Sequence, residues 1–357
     1  MTGDDGNVTG VLPRVGPHWS MHHGTTSNVA REVRRALPHG AFAPARSRLL
    51  WLPVHVSVIV LATVALARHW LPGPLWPVAS VLIGMSFAGL TFLGHEALHG
   101  AVVRNKLGRR VVGWLGFLHF AVSPRLWEAW HNRVHHGNTN RAGTDPDAYP
   151  TLEEYRRDRA VRVATDYAAP GAGRLRGALS LLIGFSVQSA HMLFVARKRR
   201  YLSAKEWRFA LAESALAVSA WVLLAFAIGL GPFLFAFALP LLVANAIVMG
   251  FILTNHSLSP LTDSNDVLAT SLTVITPRPI QWLTLGFGFH VEHHLFPAMS
   301  ARHASQVRAI LQARFGQRYQ SMSLLRATWA LHMRGRVYKQ PNRLFDPRSG
   351  REWPALG

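Results

Sequence analysis

Long apolar stretches alternate along the chain with polar, basic segments, and four of these stretches are long enough to cross a membrane as helices. They fall into two pairs, and a short turn rich in Pro, Trp or Gly joins the members of each pair. The predicted spans are about 49–67, 77–94, 209–229 and 232–254. This pattern predicts an all-α integral membrane protein whose four helices form two hairpins.

The remaining segments are predicted to lie outside the membrane core. Residues 111–122 are apolar but too few to span, and 178–196, which contains Ser, Gln and His, is interpreted as interfacial or half-buried. We expect a flexible cytoplasmic tail over 1–45 and a basic cytoplasmic tail over 316–357. The predicted domain organisation is therefore a membrane domain over 46–315 between two tails.

The charge pattern predicts the orientation in the membrane. The chain has 38 Lys and Arg against 18 Asp and Glu, a formal net charge of +20. Four spans put both termini and residues 101–208 on one side, where almost all of the basic residues lie. Because positive loops stay in the cytoplasm, this side is predicted to be cytoplasmic.

A basic chain is also a candidate nucleic-acid binder. The apolar stretches argue against that, and no nucleic-acid partner is predicted.

Histidines are concentrated in three short segments near the predicted span ends or in loops on the same face. The segments are HEALH (95–99), HNRVHH (131–136) and HVEHH (290–294). In the first two, a pair spaced four residues apart shares one face of a helix. The adjacent His136 is then expected to point elsewhere, toward a second metal ion.

A metal site is the favoured interpretation of these clusters. A single histidine near a membrane interface is usually a surface or hydrogen-bonded residue. Three histidine clusters near the ends of predicted spans are harder to explain as surface or hydrogen-bonded residues. Buried polar side chains are costly unless they are paired or bound to metal. The chain has no cysteine, which excludes thiolate sites and disulfides. Neutral imidazole suits iron, zinc, copper and nickel.

The three segments resemble the histidine boxes of the membrane fatty acid desaturase superfamily, HxxxH, HxxxHH and HxxHH, in order and in spacing. GNTNRAGTDPD (137–147) and LFP (295–297) extend the resemblance, which covers about residues 45–310. It implies four transmembrane helices with a cytoplasmic, histidine-rich cap. It also implies a centre of two iron ions (Fe²⁺/Fe³⁺) held almost wholly by histidine.

The resemblance further implies which residues bind the two ions. His256, at the end of the fourth span, matches an additional ligand of the stearoyl-type branch and joins the eight box histidines. The implied ligands are His95, His99, His131, His135, His136, His256, His290, His293 and His294. That branch has Asn four residues before the additional histidine, whereas this chain has Ile252, and Asn255 is a candidate substitute.

Carboxylates in or near the boxes are candidates to accept the outer N–H groups of ligating imidazoles. The candidates are Glu96, Glu128, Asp145, Asp147 and Glu292. The alternative is a surface charge, or a turn around Pro146 for the two aspartates. Aromatic residues that are candidates to line an acyl tunnel, with ordinary packing as the alternative, are Trp127, Trp130, Trp282, Phe287 and Phe289. No catalytic residue beyond the metal ligands and no organic cofactor is predicted.

The predicted function is an O2-dependent diiron desaturase, an oxidoreductase acting on a fatty acyl lipid or acyl thioester. Without a cytochrome b5-like haem motif, electrons are expected from a separate donor such as ferredoxin or cytochrome b5. The basic surface suits an acidic donor or anionic membrane lipids. One alternative is a diiron hydroxylase or ketolase acting on an acyl chain, alkane or carotenoid. Another is a metal- or haem-binding transporter, although transporter ligands lie nearer the bilayer midplane.

Overall fold

Four helical segments of the computed structural model, which describes residues 25–356, are long and apolar enough to cross a membrane. They are Arg46–Ala67, Gly73–Leu98, Ala204–Ile228 and Leu230–His256. Each overlaps one of the predicted spans, so the prediction of four membrane-capable helices is confirmed. Residues 1–24 of the predicted N-terminal tail lie outside the described part.

Helices account for most of the described chain. The α-helices are α1 (Thr25–Ala36), α2 (Trp51–Ala67), α3 (Trp76–Leu98), α4 (Lys106–Phe117), α5 (Pro124–Trp127), α6 (Leu152–Arg157), α7 (Arg159–Ala168), α8 (Leu175–Leu179), α9 (Gly184–Lys198), α10 (Ala204–Ile228), α11 (Leu230–Phe233), α12 (Leu239–His256), α13 (Val267–Thr270), α14 (Arg278–Leu283), α15 (His290–Leu295), α16 (Ala304–Phe315) and α17 (Leu324–Met333). Two π-helical segments are Glu128–His135 and Leu234–Ala238. Short 3₁₀ segments are His39–Phe42, Arg46–Leu50, Gly73–Leu75, Leu118–Phe120, Ser180–Leu182 and Ala301–His303.

Helix α3 is the central helix and packs against α2, α4 and α12. Small residues allow these contacts to be close, since a Cβ atom on Gly116 of α4 would lie 2.7 Å from the Cα atom of Gly94. Where α3 faces α12, a Cβ atom on Gly84 would lie 2.6 Å from the Cβ atom of Val243. The C-terminal half of α3, which carries the first histidine box, is therefore enclosed by protein.

The region interpreted as interfacial, 178–196, contains a sharp bend. Leu175–Leu182 and Gly184–Lys198 meet at 65°, an arrangement typical of a broken span or a re-entrant loop. The bend is attached to the middle of α12, because Asn245 Oδ1 accepts a hydrogen bond from the Ser186 backbone N–H at 2.9 Å. The same amide donates to Ser186 Oγ at 3.0 Å. A polar side chain inside an apolar helix thus has its hydrogen-bonding groups satisfied.

Two small sheets correct the prediction that the fold is entirely α-helical. β1 (Thr273–Ile275) pairs in parallel with β2 (Ser321–Ser323), with Thr273 opposite Ser321. Three further strands form an antiparallel sheet, in the order β3 (Val337–Gln340), β4 (Arg343–Phe345) and β5 (Glu352–Pro354). These strands are too short for a clear alternating pattern, and buried tertiary contacts of Tyr338 and Leu344 stabilise them instead.

Both flanks also differ from the predicted tails. From residue 25 onward the N-terminal flank forms α1, whose buried Val29 and Val33 pack in one cluster with Val307 of α16. The C-terminal flank is joined to the loop after α12, because the Leu356 N–H donates to the Leu258 carbonyl at 2.7 Å. Apolar burial that the local sequence does not reveal thus attaches both segments to the helical body.

Candidate metal centre

The nine histidines implied as ligands come from four separated parts of the chain. The first box lies at the end of α3, and the second lies in and directly after the π-helical segment Glu128–His135. His256 is the last residue of α12, and the third box forms α15. The structure brings all nine side chains together into one cluster, with no member pointing away.

The Nε2 atoms face one another at the centre of this cluster. His131 Nε2 lies 3.0 Å from His95 Nε2 and 3.2 Å from His136 Nε2. His290 Nε2 lies 2.7 Å from His256 Nε2 and 3.2 Å from His294 Nε2. Distances this short bring ring nitrogens from separate helices to a common focus.

Two groups of ligand atoms consist of histidine alone, and within each group all of them lie within 4.8 Å of one another. A third group with the same limit joins His131, His135 and Asp147. We call the first the edge group, because His99 and His293 are partly exposed; it consists of His95, His99, His131, His136 and His293. We call the second the enclosed group, because all of its members are buried; it consists of His135, His256 and His294. His290 contacts the enclosed group through the two short distances given above.

The π-helical turn decides which histidine joins which group. The His136 N–H donates to the His131 carbonyl five residues earlier, at 3.1 Å, so His131 and His136 lie on the same side of the turn. His135 instead contributes to the enclosed group. His136 thus joins His131 in the edge group, which ordinary α-helical spacing did not predict, while the predicted pair His131 and His135 also lies in one group with Asp147.

The outer Nδ1 atoms of the enclosed group have specific partners. His135 Nδ1 donates to Asp145 Oδ1 at 3.0 Å, and His256 Nδ1 donates to the Thr270 carbonyl at 3.1 Å. His294 Nδ1 lies 3.2 Å from the Thr139 hydroxyl, whose proton is already donated to the His135 carbonyl. In the neutral form of each imidazole, these contacts place the proton on Nδ1 and leave the Nε2 lone pair directed inward. The sequence reasoning missed Thr139, although it lies in the GNTN segment that supported the resemblance.

The predicted carboxylate partners divide into two kinds. Asp145 accepts from His135, and Asp147 lies 3.4 Å from the same nitrogen while also accepting from Trp130 and Gln188. Glu96, Glu128 and Glu292 have other partners. Glu96 contacts Ser300, the Ala301 N–H and Arg48. Glu128 contacts Arg110. Glu292 contacts Thr273 and Tyr319. The expectation that Glu96 and Glu292 accept from an imidazole was wrong, because both side chains connect their helices to neighbouring segments.

Burial and local charge set the protonation of the cluster. Burial, reinforced by the neighbouring imidazoles, lowers the pKa of His99, His131, His136, His290, His293 and His294 well below the ordinary 6.5. Burial acts in the same direction on His135, but Asp145 and Asp147 outweigh it and raise the His135 pKa to about 9. Burial and Asp145 raise the pKa of Asp147 to about 6. Without metal, one cationic imidazole thus lies among neutral ones at neutral pH.

The donor set fits a metal ion. Nine imidazoles converge with Nε2 atoms as close as 2.7–3.2 Å, and neutral imidazole nitrogen is a ligand for transition metals. His99 Nε2 is buried and has no hydrogen-bond partner among the described residues. Unsatisfied buried nitrogen at a focus of ligand atoms is what a metal site without its ion requires. The cluster could therefore hold metal.

Apolar and aromatic side chains line a small cavity beside the cluster. A cavity of about 20 Å³ beside the histidines is lined by Phe92, Trp127, Trp130, Phe287 and Ile252, among others. Trp127 stacks on His131 with ring centroids 4.4 Å apart. Trp282, in contrast, is 66% exposed and lies outside this lining. Three of the five aromatic residues considered for a tunnel therefore line the cavity beside the cluster.

Four membrane-capable helices and a buried histidine cluster that could hold metal are the two defining features of the described chain. A model of the fatty acid desaturase family matches residues 68–326. The chain belongs to this family.

Several relatives are desaturases. The chain is 25% identical over 280 residues to the chloroplastic omega-6 fatty acid desaturase of Glycine max, covering 75% of this chain and 63% of the relative. It is 29% identical over 127 residues to an sn-1 acyl-lipid omega-3 desaturase (ferredoxin) of Synechocystis sp., covering 35% of this chain and 34% of the relative. An sn-1 linoleoyl-lipid 6-desaturase of Synechocystis sp. is 25% identical over 287 residues, covering 71% of this chain and 77% of the relative. Desaturases are oxidoreductases. The chain matches only about a third to two thirds of the length of the first two relatives.

Proposed function

We propose that this protein is a diiron, O2-dependent desaturase that introduces a double bond into the acyl chain of a lipid or an acyl thioester. The observation that carries the proposal is the convergence of nine imidazoles from four parts of the chain, with inward nitrogens at 2.7–3.2 Å. Membership of the desaturase family supports the same reaction class.

The two groups of ligand atoms suggest how two ions would be held. The edge group would bind one iron ion, and the enclosed group together with His290 would bind the other. When bound, the iron pair would supply the activation of O2 that removal of two hydrogens from an unactivated acyl chain requires. The nine histidines would thus all be ligands.

The protein's own residues hold the geometry and keep water away. Asp145, Thr139 and the Thr270 carbonyl hold protons on Nδ1 of their imidazoles, which directs Nε2 toward the centre. Trp127 and Phe287 cover the apolar side of the cluster. An acyl chain carries no charge for the protein to recognise, so substrate positioning depends on the shape of such apolar walls.

Electrons would come from a separate donor, a ferredoxin or cytochrome b5, and one relative is named as a ferredoxin-type desaturase. The excess of 38 Lys and Arg over 18 Asp and Glu would favour the approach of an acidic donor, and also of anionic lipid. We further propose that the histidine cluster and both termini face the cytoplasm, since the basic residues lie on that side of the four helices.

The proposal is tested by lipid analysis of a host that expresses the unmodified chain, a His135→Ala variant or a His191→Ala variant. His191 lies on α9 outside the cluster and is exposed, so its substitution is a matched control. We expect a new unsaturated acyl species with the unmodified chain and with His191→Ala, and its absence with His135→Ala. A hydroxylated product, or no new product from the unmodified chain, would exclude the desaturase assignment.

A further inference from the structure

The antiparallel sheet β3–β5 contacts two chain segments that lead away from the enclosed group. Both contacts are made by Tyr338 of β3, whose side chain is buried. The Tyr338 backbone N–H donates to the Pro150 carbonyl at 2.9 Å. The Tyr338 hydroxyl donates to the Ser259 carbonyl. One residue of the C-terminal flank thus joins two segments that are distant from each other in the sequence.

The first segment carries Asp145 and Asp147, the two carboxylates beside the enclosed group. Pro150 lies at the end of this segment. The next residue, Thr151, forms an isolated parallel bridge with Tyr338. Contacts of two consecutive residues with β3 therefore fix the end of the segment that supplies the acceptor of the His135 proton.

The second segment directly follows His256, a ligand of the enclosed group. The Ser259 N–H donates to the His256 carbonyl at 3.0 Å, and Asn140 Nδ2 donates to the same carbonyl at 3.1 Å. The backbone N–H of Asn140 donates in turn to Asp145 Oδ2 at 2.8 Å. Ser259 is therefore linked to His256 by one hydrogen bond and to Asp145 by a short chain of them.

The sheet is attached to the rest of the protein independently of these two segments. Arg336, directly before β3, is buried and donates from Nη1 to the Thr165 carbonyl at 2.7 Å and to the Ala169 carbonyl at 3.2 Å. Tyr338 itself pairs with Leu344 of β4, whose side chain is fully buried. A strand that is fixed in this way holds the Tyr338 hydroxyl at one position, which a flexible tail would not do.

We propose that Tyr338 is a positioning residue of the metal centre, which holds the segments carrying His256 and Asp145 in the arrangement that the enclosed group requires. The inference rests on the proposed function and adds to it a residue of the C-terminal flank, which the sequence predicted to be a tail. Tyr338 acts through Ser259 and Pro150 rather than on an imidazole. Its effect is therefore expected to be smaller than that of Asp145, whose carboxylate contacts His135 directly.

The first test compares Tyr338→Phe with Tyr155→Phe. The Tyr155 hydroxyl donates to Asp166 at 3.2 Å, so its removal is a matched loss of one tyrosine hydrogen bond. Both substitutions are made in a His293→Ala background, which removes a ligand of the edge group. Metal-free protein is titrated with Co²⁺. Tyr338→Phe should weaken binding by about fivefold, because Ser259 loses its donor, and Tyr155→Phe should leave it unchanged. Equal affinities in the two variants would overturn the proposal.

Thermal unfolding of the same metal-free samples separates positioning from a general loss of stability. A Tyr338→Phe variant that unfolds at a lower temperature but binds Co²⁺ with unchanged affinity would show that Tyr338 only supports the fold, and would also overturn the proposal. In a His294→Ala background, which leaves the edge group intact, we expect Tyr338→Phe to have no effect on Co²⁺ affinity. An equal loss of affinity in both backgrounds would contradict a role specific to the enclosed group.

Hydrogen exchange of metal-free protein, measured by mass spectrometry, needs neither metal nor catalysis. In Tyr338→Phe we expect faster exchange in peptides that cover 145–150 and 256–261, and no change there in Tyr155→Phe. Unchanged exchange in both regions would reject the proposed support. If Co²⁺ affinity depends on Tyr338 but the unmodified chain forms no double bond, the proposed function is rejected and the role of Tyr338 is retained. If the double bond forms but affinity does not depend on Tyr338, only this inference is rejected.

Discussion

The edge group and the enclosed group use the same type of ligand in different electrostatic surroundings. In the enclosed group, His135 lies 3.0 Å from Asp145 and 3.4 Å from Asp147. In the edge group, no carboxylate of the described residues lies within 4.0 Å of a ring nitrogen, although Asp147 lies within 4.8 Å of His131. Arg109 contributes to the lowered pKa of His99. Both sites are built from histidine, but the residues that contact the outer side of the imidazoles make the two sites chemically different.

This difference has a consequence for access to the two sites. The enclosed group is buried and charge-balanced, whereas the edge group includes the partly exposed His99 and His293. An ion in the edge group would be nearer to the surface and to a donor protein. An ion in the enclosed group would be held against the loss of its ligands by Asp145 and Thr139.

The largest effects are expected from removing a ligand of either group. His294→Ala and His293→Ala should each lower the iron content from about two ions per chain to about one, and should reduce product by more than about a hundredfold. Iron is measured by plasma mass spectrometry on purified protein, and His191→Ala serves as the control. Two ions retained in either variant would contradict the assignment of that histidine to its group.

An intermediate effect is expected from Asp145→Asn, with Asp147→Asn for comparison. Loss of the Asp145 charge should weaken metal binding by about 10–100-fold, because the acceptor of the His135 Nδ1 proton becomes a neutral amide oxygen. Asp147 is farther from His135 and has Trp130 and Gln188 as partners, so its substitution should have a smaller effect. Metal-free protein is titrated with Co²⁺, and binding is monitored through the visible absorption of the bound ion.

The same titration tests the protonation of His135. Its pKa is raised to about 9, so in metal-free protein below that pH a proton competes with the metal for Nε2. Metal affinity of the enclosed group should therefore rise with pH and level off near pH 9. In Asp145→Asn it should level off at a lower pH, because the charge that raises the pKa is gone. The contribution of the His135–Asp145 pair to the free energy of unfolding changes in the opposite direction. It is fully present below pH 6.5 and is lost as the pH rises through about 9. A pH-independent affinity would contradict the raised pKa.

The sequence predicted the helices and the histidines better than it predicted their arrangement. Apolar length located the four membrane-capable helices, since hydrocarbon thickness fixes how many residues a span needs. Histidine spacing did not predict the grouping, because the π-helical turn replaces a four-residue repeat with a five-residue one. The roles of Thr139 and of the Thr270 carbonyl depend on tertiary contacts across the chain. Nothing in the local pattern distinguished Asp145, which contacts an imidazole, from Glu292, which does not.

The smallest effect on the metal centre is expected from Glu292→Gln. Glu292 is fully buried, accepts hydrogen bonds from Thr273 at 2.6 Å and Tyr319 at 2.5 Å, and thereby connects α15 to the segments that carry β1 and β2. A glutamine retains one acceptor oxygen and places an NH2 group against the other hydroxyl, so the free energy of unfolding should fall by about 1–3 kcal/mol. Metal content per folded chain should be unchanged, because no imidazole loses a partner. A thermal unfolding curve and a Co²⁺ titration on the same sample separate these effects. If Glu292→Gln lowered metal affinity as much as Asp145→Asn does, the distinction between carboxylates that orient ligands and carboxylates that connect helices would not hold.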